Sequence, residues 1–439
     1  MKNIVKRLLS IVMVLILILS LCCCGGNDKT STPNNDANSN NNSQPTTDNE
    51  DETDNSSVEG TVSGENGDTT ISSTPGKPTV SESTNSDSSG NVLKAVYDWH
   101  PGLVDKDVTY TLNVSLNGSA VNAGELTITS ATTGVKISGT SITLPYSVRS
   151  AGKNIVLTIK HKKGTKCDVS IPCYSYKQTF NDDFDGTELN RTKWRDHGPG
   201  SSVAPSDANT YEVIDRAKAA KNSYEVKDGK LYMLIKKEPV YDTANKIKYL
   251  YSECCLDTQG NFMQKYGLFE ARISCAKFGG INTAFWLLPN GSYSTQYTNF
   301  KKSNPEWGLA EIDILEASVA FGSKDRKTFC ITEHYYNYKK NLQHIQEAKY
   351  YKVSDTITNF HTYSCVWTKD ALYYYLDGEL IRTADGLSDK STGDKQVQRA
   401  YIIIDNALYL DNAWVGKRDF TEADLPISSV VDWVRAYKF

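Results

Sequence analysis

A chain of 439 residues, 39% of them hydrophobic, can fill two cores even after a leader and a linker are set aside. Its formal net charge of −4 gives no electrostatic reason to expect nucleic acid as a partner. No phosphate loop, dinucleotide fingerprint or zinc-ligand spacing is present, so nucleotide and zinc chemistry have no support in the sequence.

In chain order, Lys2, Lys6 and Arg7 precede an apolar run from Leu8 to Leu21, broken only by Ser10 and Ser20. A basic start and a short apolar stretch read as a signal peptide, too short for a membrane span of the mature chain. The run ends in Cys22, Cys23, Cys24, Gly25 and Gly26. A cysteine directly after such a run resembles the lipobox of bacterial lipoproteins. The resemblance implies lipidation of Cys24, with Cys22 and Cys23 as alternatives. It also implies an extracellular protein held to the outer face of a bacterial membrane by that anchor alone, and a monomer is expected. Residues 25–91 are rich in Ser, Thr, Asn, Asp and Glu and contain no aromatic residue. They cannot bury enough apolar surface to fold and read as a disordered linker.

Over residues 92–176 the pattern becomes that of strands. Val108 to Val114, Glu125 to Thr129 and Asn154 to Ile159 alternate, with Gly and Asn between them. Several short strands in this space predict a small immunoglobulin-like β-sandwich. Trp99, Tyr146 and Tyr174 are the main aromatic residues available for a sugar platform, so a spacer or packing domain is favoured over a sugar-binding module.

The most informative stretch is Ala310 to Ala317, which carries Glu311, Asp313 and Glu316 among aliphatic residues. Burying carboxylates is expensive without a purpose. Strand parity puts Glu311 and Asp313 on one face and Glu316 on the other. A single β-bulge between Asp313 and Glu316 would bring all three to the same face. Two glutamates so spaced suit the roughly 5–5.5 Å carboxyl gap of a retaining glycosidase. The competing readings are acids that face solvent or a metal cluster.

With that stretch as its signature, the region from Thr179 to Phe439 resembles glycoside hydrolase family 16, the laminarinase and lichenase family. Matching segments occur in the family's order: Phe180 to Gly186 with Lys193 and Trp194, Val226 to Leu231, Tyr266 to Arg272, Ala284 to Pro289, Phe360 to Tyr363 with Trp367, Asp377 and Gly378, and Val431 to Arg435. The resemblance implies an all-β chain, with a catalytic antiparallel jelly-roll sandwich over residues 177–439 after the smaller sandwich. It implies double displacement, with Glu311 as nucleophile, Glu316 as general acid/base and Asp313 tuning their protonation. It implies a polysaccharide substrate, with Glu270, Arg272, Trp286, Trp307, His334, Tyr336 and Asp405 along the cleft. Trp367 and Trp433 are expected in the core.

Two departures stand out. Trp307 to Ala310 lacks the proline that often precedes the signature. Asp405 stands where a cleft asparagine is usual. A polar loop over residues 290–305, with Tyr293, Tyr297 and Phe300, is placed at the cleft mouth. The resemblance also implies a structural calcium ion held by Asp432 and by backbone oxygens near Asp183 and at Gly229, and no cofactor for catalysis. Ten cysteines less the three at the lipidation site leave seven, which cannot all pair within one chain and are expected to be mostly reduced. The function expected is an endo-glucanase on β-1,3 or mixed β-1,3/1,4-glucan. The alternatives are another polysaccharide such as a galactan or xyloglucan, transglycosylation, and a non-catalytic glycan-binding protein.

Overall fold

The computed structural model describes residues 83–196, 210–214, 223–242, 247–289, 307–321, 326–337, 343–384, 399–409 and 415–439. The leader, most of the linker, Cys24 and the loop over 290–305 lie outside them. The protein is all-β. Among the described residues strands account for every long element, and the helices are single turns such as Tyr146–Arg149.

The first set of strands forms three short sheets of four, three and three strands around one apolar centre. The strand Ile155–His161 alternates strictly, with residues 155, 157, 159 and 161 buried. The run from Val108 to Val114 is interrupted. Val108–Thr111 pairs with Ser141–Leu144, whereas Asn113–Leu116 pairs with Val92–Val96. Leu112 between them donates its amide to Thr140, so the chain changes sheets there while keeping its inward parity.

The larger part is a sandwich of two sheets. One has seven strands in the order Arg195–Asp196, Cys254–Asp257, Ala400–Leu408, Ile281–Pro289, Trp307–Ala317, Thr328–Asn337 and Gln343–Lys352. The other has ten and is centred on Ile427–Lys438 and Gly267–Ser274. Among the described strands, pairing is antiparallel except between Thr210–Ile214 and Ile247–Ser252. Phe269, Ala271, Ile273, Phe285, Leu287, Ile312, Leu315, Ile402 and Ile404 meet between the sheets. Trp367 is in this core. Trp433 is only half-buried, with the Arg435 guanidinium 4.3 Å above its ring, which corrects its expected core placement.

The small sandwich does not hang free of the large one. Leu268, Val366, Tyr373, Tyr375 and Tyr437 of the ten-stranded sheet turn away from their own core and join the apolar centre of the first domain. Trp99 meets Tyr373 edge-on at 5.7 Å and Tyr174 stacks on Phe439 at 4.0 Å. The Tyr375 hydroxyl accepts from the Gly102 amide at 3.1 Å. This covers part of the outer face of the ten-stranded sheet and leaves the outer face of the seven-stranded sheet for chemistry. The seven cysteines from Cys167 to Cys365 are all buried and unbridged.

Candidate active site

The strand Trp307–Ala317 is the fifth of the seven strands, between Ile281–Pro289 and Thr328–Asn337. Asp313 pairs with Thr332 on one side and Trp286 on the other, and Glu316 pairs with Cys330 and Ala284. Three residues of this strand therefore span what two residues span on each neighbour. That is the expected bulge, and Ile314 and Leu315 occupy it, both buried. The sequence folds this way because two consecutive aliphatic side chains are drawn into the core, which returns Glu316 to the face of Glu311 and Asp313.

On this face the acids are close together. His334, opposite Glu311 on the next strand, brings Nε2 to 2.9 Å from Asp313 Oδ2 and 3.7 Å from Glu311 Oε1. The 2.9 Å approach is a close polar contact and not an aligned hydrogen bond. Thr332 donates its hydroxyl to Glu316 Oε2 at 2.7 Å. Trp286 donates its indole N–H to Asp405 Oδ1 at 2.8 Å. Burial first, and then the Asp313 charge, pushes the Glu311 carboxyl up to about 8. Burial also raises Asp313, with Glu316 adding to it, and raises Glu316 against the opposing Thr332 bond. Crowded acids in a dry site cannot all ionise, so the cluster retains protons at neutral pH. Such a cluster can donate a proton from one carboxyl while another acts as nucleophile or base. The ligand atoms of Glu311, Asp313 and His334 also lie within 4.8 Å of one another, close enough to share a cation.

Trp286, His334 and Asp405 thus join the three acids. Trp307 is in the same strand and Tyr336 pairs with Gly308, but both side chains lie outside the described residues. Glu270 and Arg272 do not belong here. Phe269, Ala271 and Ile273 fill the inter-sheet core, so the residues between them point out of the opposite sheet, beyond a layer about 10 Å thick. Glu270 is buried near Ser364, and its carboxyl is raised to about 7 by that burial. Arg272 pairs with Asp432 at 2.6 Å and covers the Phe360 ring.

That pairing also bears on the expected calcium ion. Asp432 faces two cations, Arg272 at 2.6 Å and Lys230 at 3.8 Å. Asp183 holds Arg435 at 2.8 Å. A divalent ion at Asp432 would have to displace Arg272 and Lys230, so the Asp432 carboxylate does not fit such an ion as it stands. Thr332 escaped the sequence reading, although it has the parity of His334 two residues on. So did Tyr409, which sits close enough to Asp405 and Glu316 for their charges, after burial, to raise its phenol.

Residues 174–439 match the family model described as the GH16 domain of β-porphyranases A–D. The chain is 28% identical over 223 residues to the endo-1,3-1,4-β-glycanase EglC of Rhizobium meliloti, covering 48% of this chain and 43% of that one. It is 25% identical over 288 residues to the glucan endo-1,3-β-glucosidase A1 of Niallia circulans, covering 63% and 39%. The chain therefore spans about two-fifths of the length of these curated relatives. Among solved structures it resembles the endo-β-1,3-glucanase of Pyrococcus furiosus, with a TM-score of 0.45, 25% identity, and coverage of 60% of this chain and 95% of that one.

Proposed function

Because the chain belongs to glycoside hydrolase family 16 through residues 174–439, we propose that it is a retaining endo-glycosidase that hydrolyses β-1,3 or mixed β-1,3/1,4-glucan. The observation that carries this reading is the bulge that brings Glu311, Asp313 and Glu316 to one face. Glu311 attacks the anomeric carbon from the state of the proton-sharing cluster in which it is the carboxylate, while Glu316 holds the proton and gives it to the departing oxygen, forming a covalent glycosyl-enzyme. Glu316, now a carboxylate, takes a proton from water, which releases the sugar with its configuration retained. Thr332 steadies Glu316 through Oε2 and leaves the other oxygen to move the proton. Asp313 and His334 set the charge that surrounds Glu311. The glucan assignment leans on relatives named as a glucan endo-1,3-β-glucosidase and as β-glucanases. Export with a lipid anchor at Cys24 belongs to the same proposal and rests on the leader sequence.

A second substrate is favoured by one observation: the matching family model is described by β-porphyranases, which keeps a galactan in view. The test is reducing-sugar release on laminarin, barley β-glucan, lichenan, xyloglucan, agarose, porphyran and carrageenan. Glucan oligosaccharides are expected, and Glu311→Gln and Glu316→Gln should each lower turnover at least about a hundredfold. Activity confined to the galactans would keep the mechanism and change the substrate. Turnover lost on chelation and restored by a divalent cation would replace the two-carboxylate mechanism with a metal site.

A further inference from the structure

Tyr350 is the most exposed large apolar side chain among the described residues, at 59% of its full accessibility. It belongs to the edge strand Gln343–Lys352, two strands from the acids. Glu316 pairs with Cys330, and Cys330 with Tyr350. Directly opposed residues project to the same side of a sheet, so the three form a row on the open face. Tyr351 next in sequence points the other way and packs against the core near Phe329.

Tyr350 is also supported from below. Its ring stands edge-on to Phe321 at 5.7 Å, with the planes at 87°. Phe321 is buried with Cys330 and Val415 in a small apolar cluster that Ala348 and Tyr409 extend. Across the acids lies a second such cluster, Cys255, Tyr401 and Ile403, against which Trp286 packs. The row of carboxyls is therefore flanked by two apolar floors, each bearing an aromatic ring. A pyranose has the matching chemistry: its hydroxyls lie around the rim and its C–H groups form an apolar face. Two strand spacings place Tyr350 roughly 10 Å from Glu316, past the sugars that react.

We propose that Tyr350 is a stacking platform for a sugar ring remote from the scissile bond, and so fixes how the cleft holds a long chain. The inference rests on the glycosidase reading above. It is tested on the full chain with laminarin, or the panel polymer that the wild type cleaves fastest, and with its trisaccharide. Tyr350→Ala should raise KM for the polymer about tenfold with kcat little changed, the signature of lost uniform binding. The loss should be smaller on the trisaccharide, and Tyr350→Phe should retain the wild-type KM. A thermal melt of each variant separates misfolding from lost binding. An active wild type whose Tyr350→Ala variant keeps its polymer KM would overturn the platform alone. A wild type silent on every polymer, by contrast, would bring down the glycosidase reading and the platform with it.

Discussion

Glu311 shows how burial converts a carboxylate into a pH-dependent stability element. Its ordinary value of 4.5 rises to about 8 in the fold, through desolvation first and the Asp313 charge second. Below about pH 4.5 the folded and unfolded chains both hold the proton and the contribution is fully present. Between that pH and about 8 the unfolded chain has released a proton that the folded chain keeps, so stability falls as pH rises through the window. Glu311→Gln removes this titration. The Tm of the variant should therefore gain on that of the wild type between pH 5 and pH 9, by roughly 2–4 °C for each kcal/mol relieved. Calorimetry at the two pH values checks it, and a difference that stays constant would mean that Glu311 ionises freely in the fold. The cost that such acids impose is the kind of local inconsistency a fold tolerates where chemistry needs it.

At the scale of the strand, parity carries much of the information, and its limits are visible in particular residues. The bulge was legible because Glu311, Asp313 and Glu316 cannot share a face without one. Trp286 and Asp405 were legible through the matching segments around them. Glu270 and Arg272 share a face, as their spacing requires, but alternation is the same whether that face meets a cleft or another domain. Only the packing of Phe269, Ala271 and Ile273 between the sheets decides it. Tyr350 was missed for a different reason. Gln343–Lys352 mixes polar, charged and aromatic residues without a clean period, because this edge strand is wet on the cleft side and only partly covered on the other, where Tyr351 packs on the core. The reassignment of Arg272 has a direct test. Arg272→Ala should leave kcat/KM within about twofold of wild type. It should lower stability by at most about 1 kcal/mol, since its partner Asp432 is partly exposed and the pair is screened by solvent. A loss of tenfold or more in kcat/KM with the Tm unchanged would return Arg272 to the binding machinery.

At the scale of the molecule, the two sandwiches divide the surfaces of the larger one between them. The outer face of the seven-stranded sheet carries the acids. The outer face of the ten-stranded sheet carries Leu268, Val366, Tyr373, Tyr375 and Tyr437, which the first domain buries. Residues 83–176 therefore cover part of the larger sandwich, and cutting them away is expected to destabilise it. Removing them would expose a contiguous apolar patch of a size that soluble monomers avoid. Each large side chain uncovered forfeits on the order of 1.5–3 kcal/mol, against a total stability of only about 5–15 kcal/mol for a typical domain. The Lys177–Phe439 fragment should thus aggregate on expression, or melt more than about 10 °C below Ser83–Phe439. The longer fragment starts at Ser83 because Ser83–Ser86 pairs with Val92–Val96 and closes the edge of the first domain. Matched thermal melts of the two fragments measure the difference. A soluble short fragment with the same Tm would show that each sandwich stands alone, and that the aromatic contacts of Trp99 and Tyr174 with the larger sheet add little to its stability.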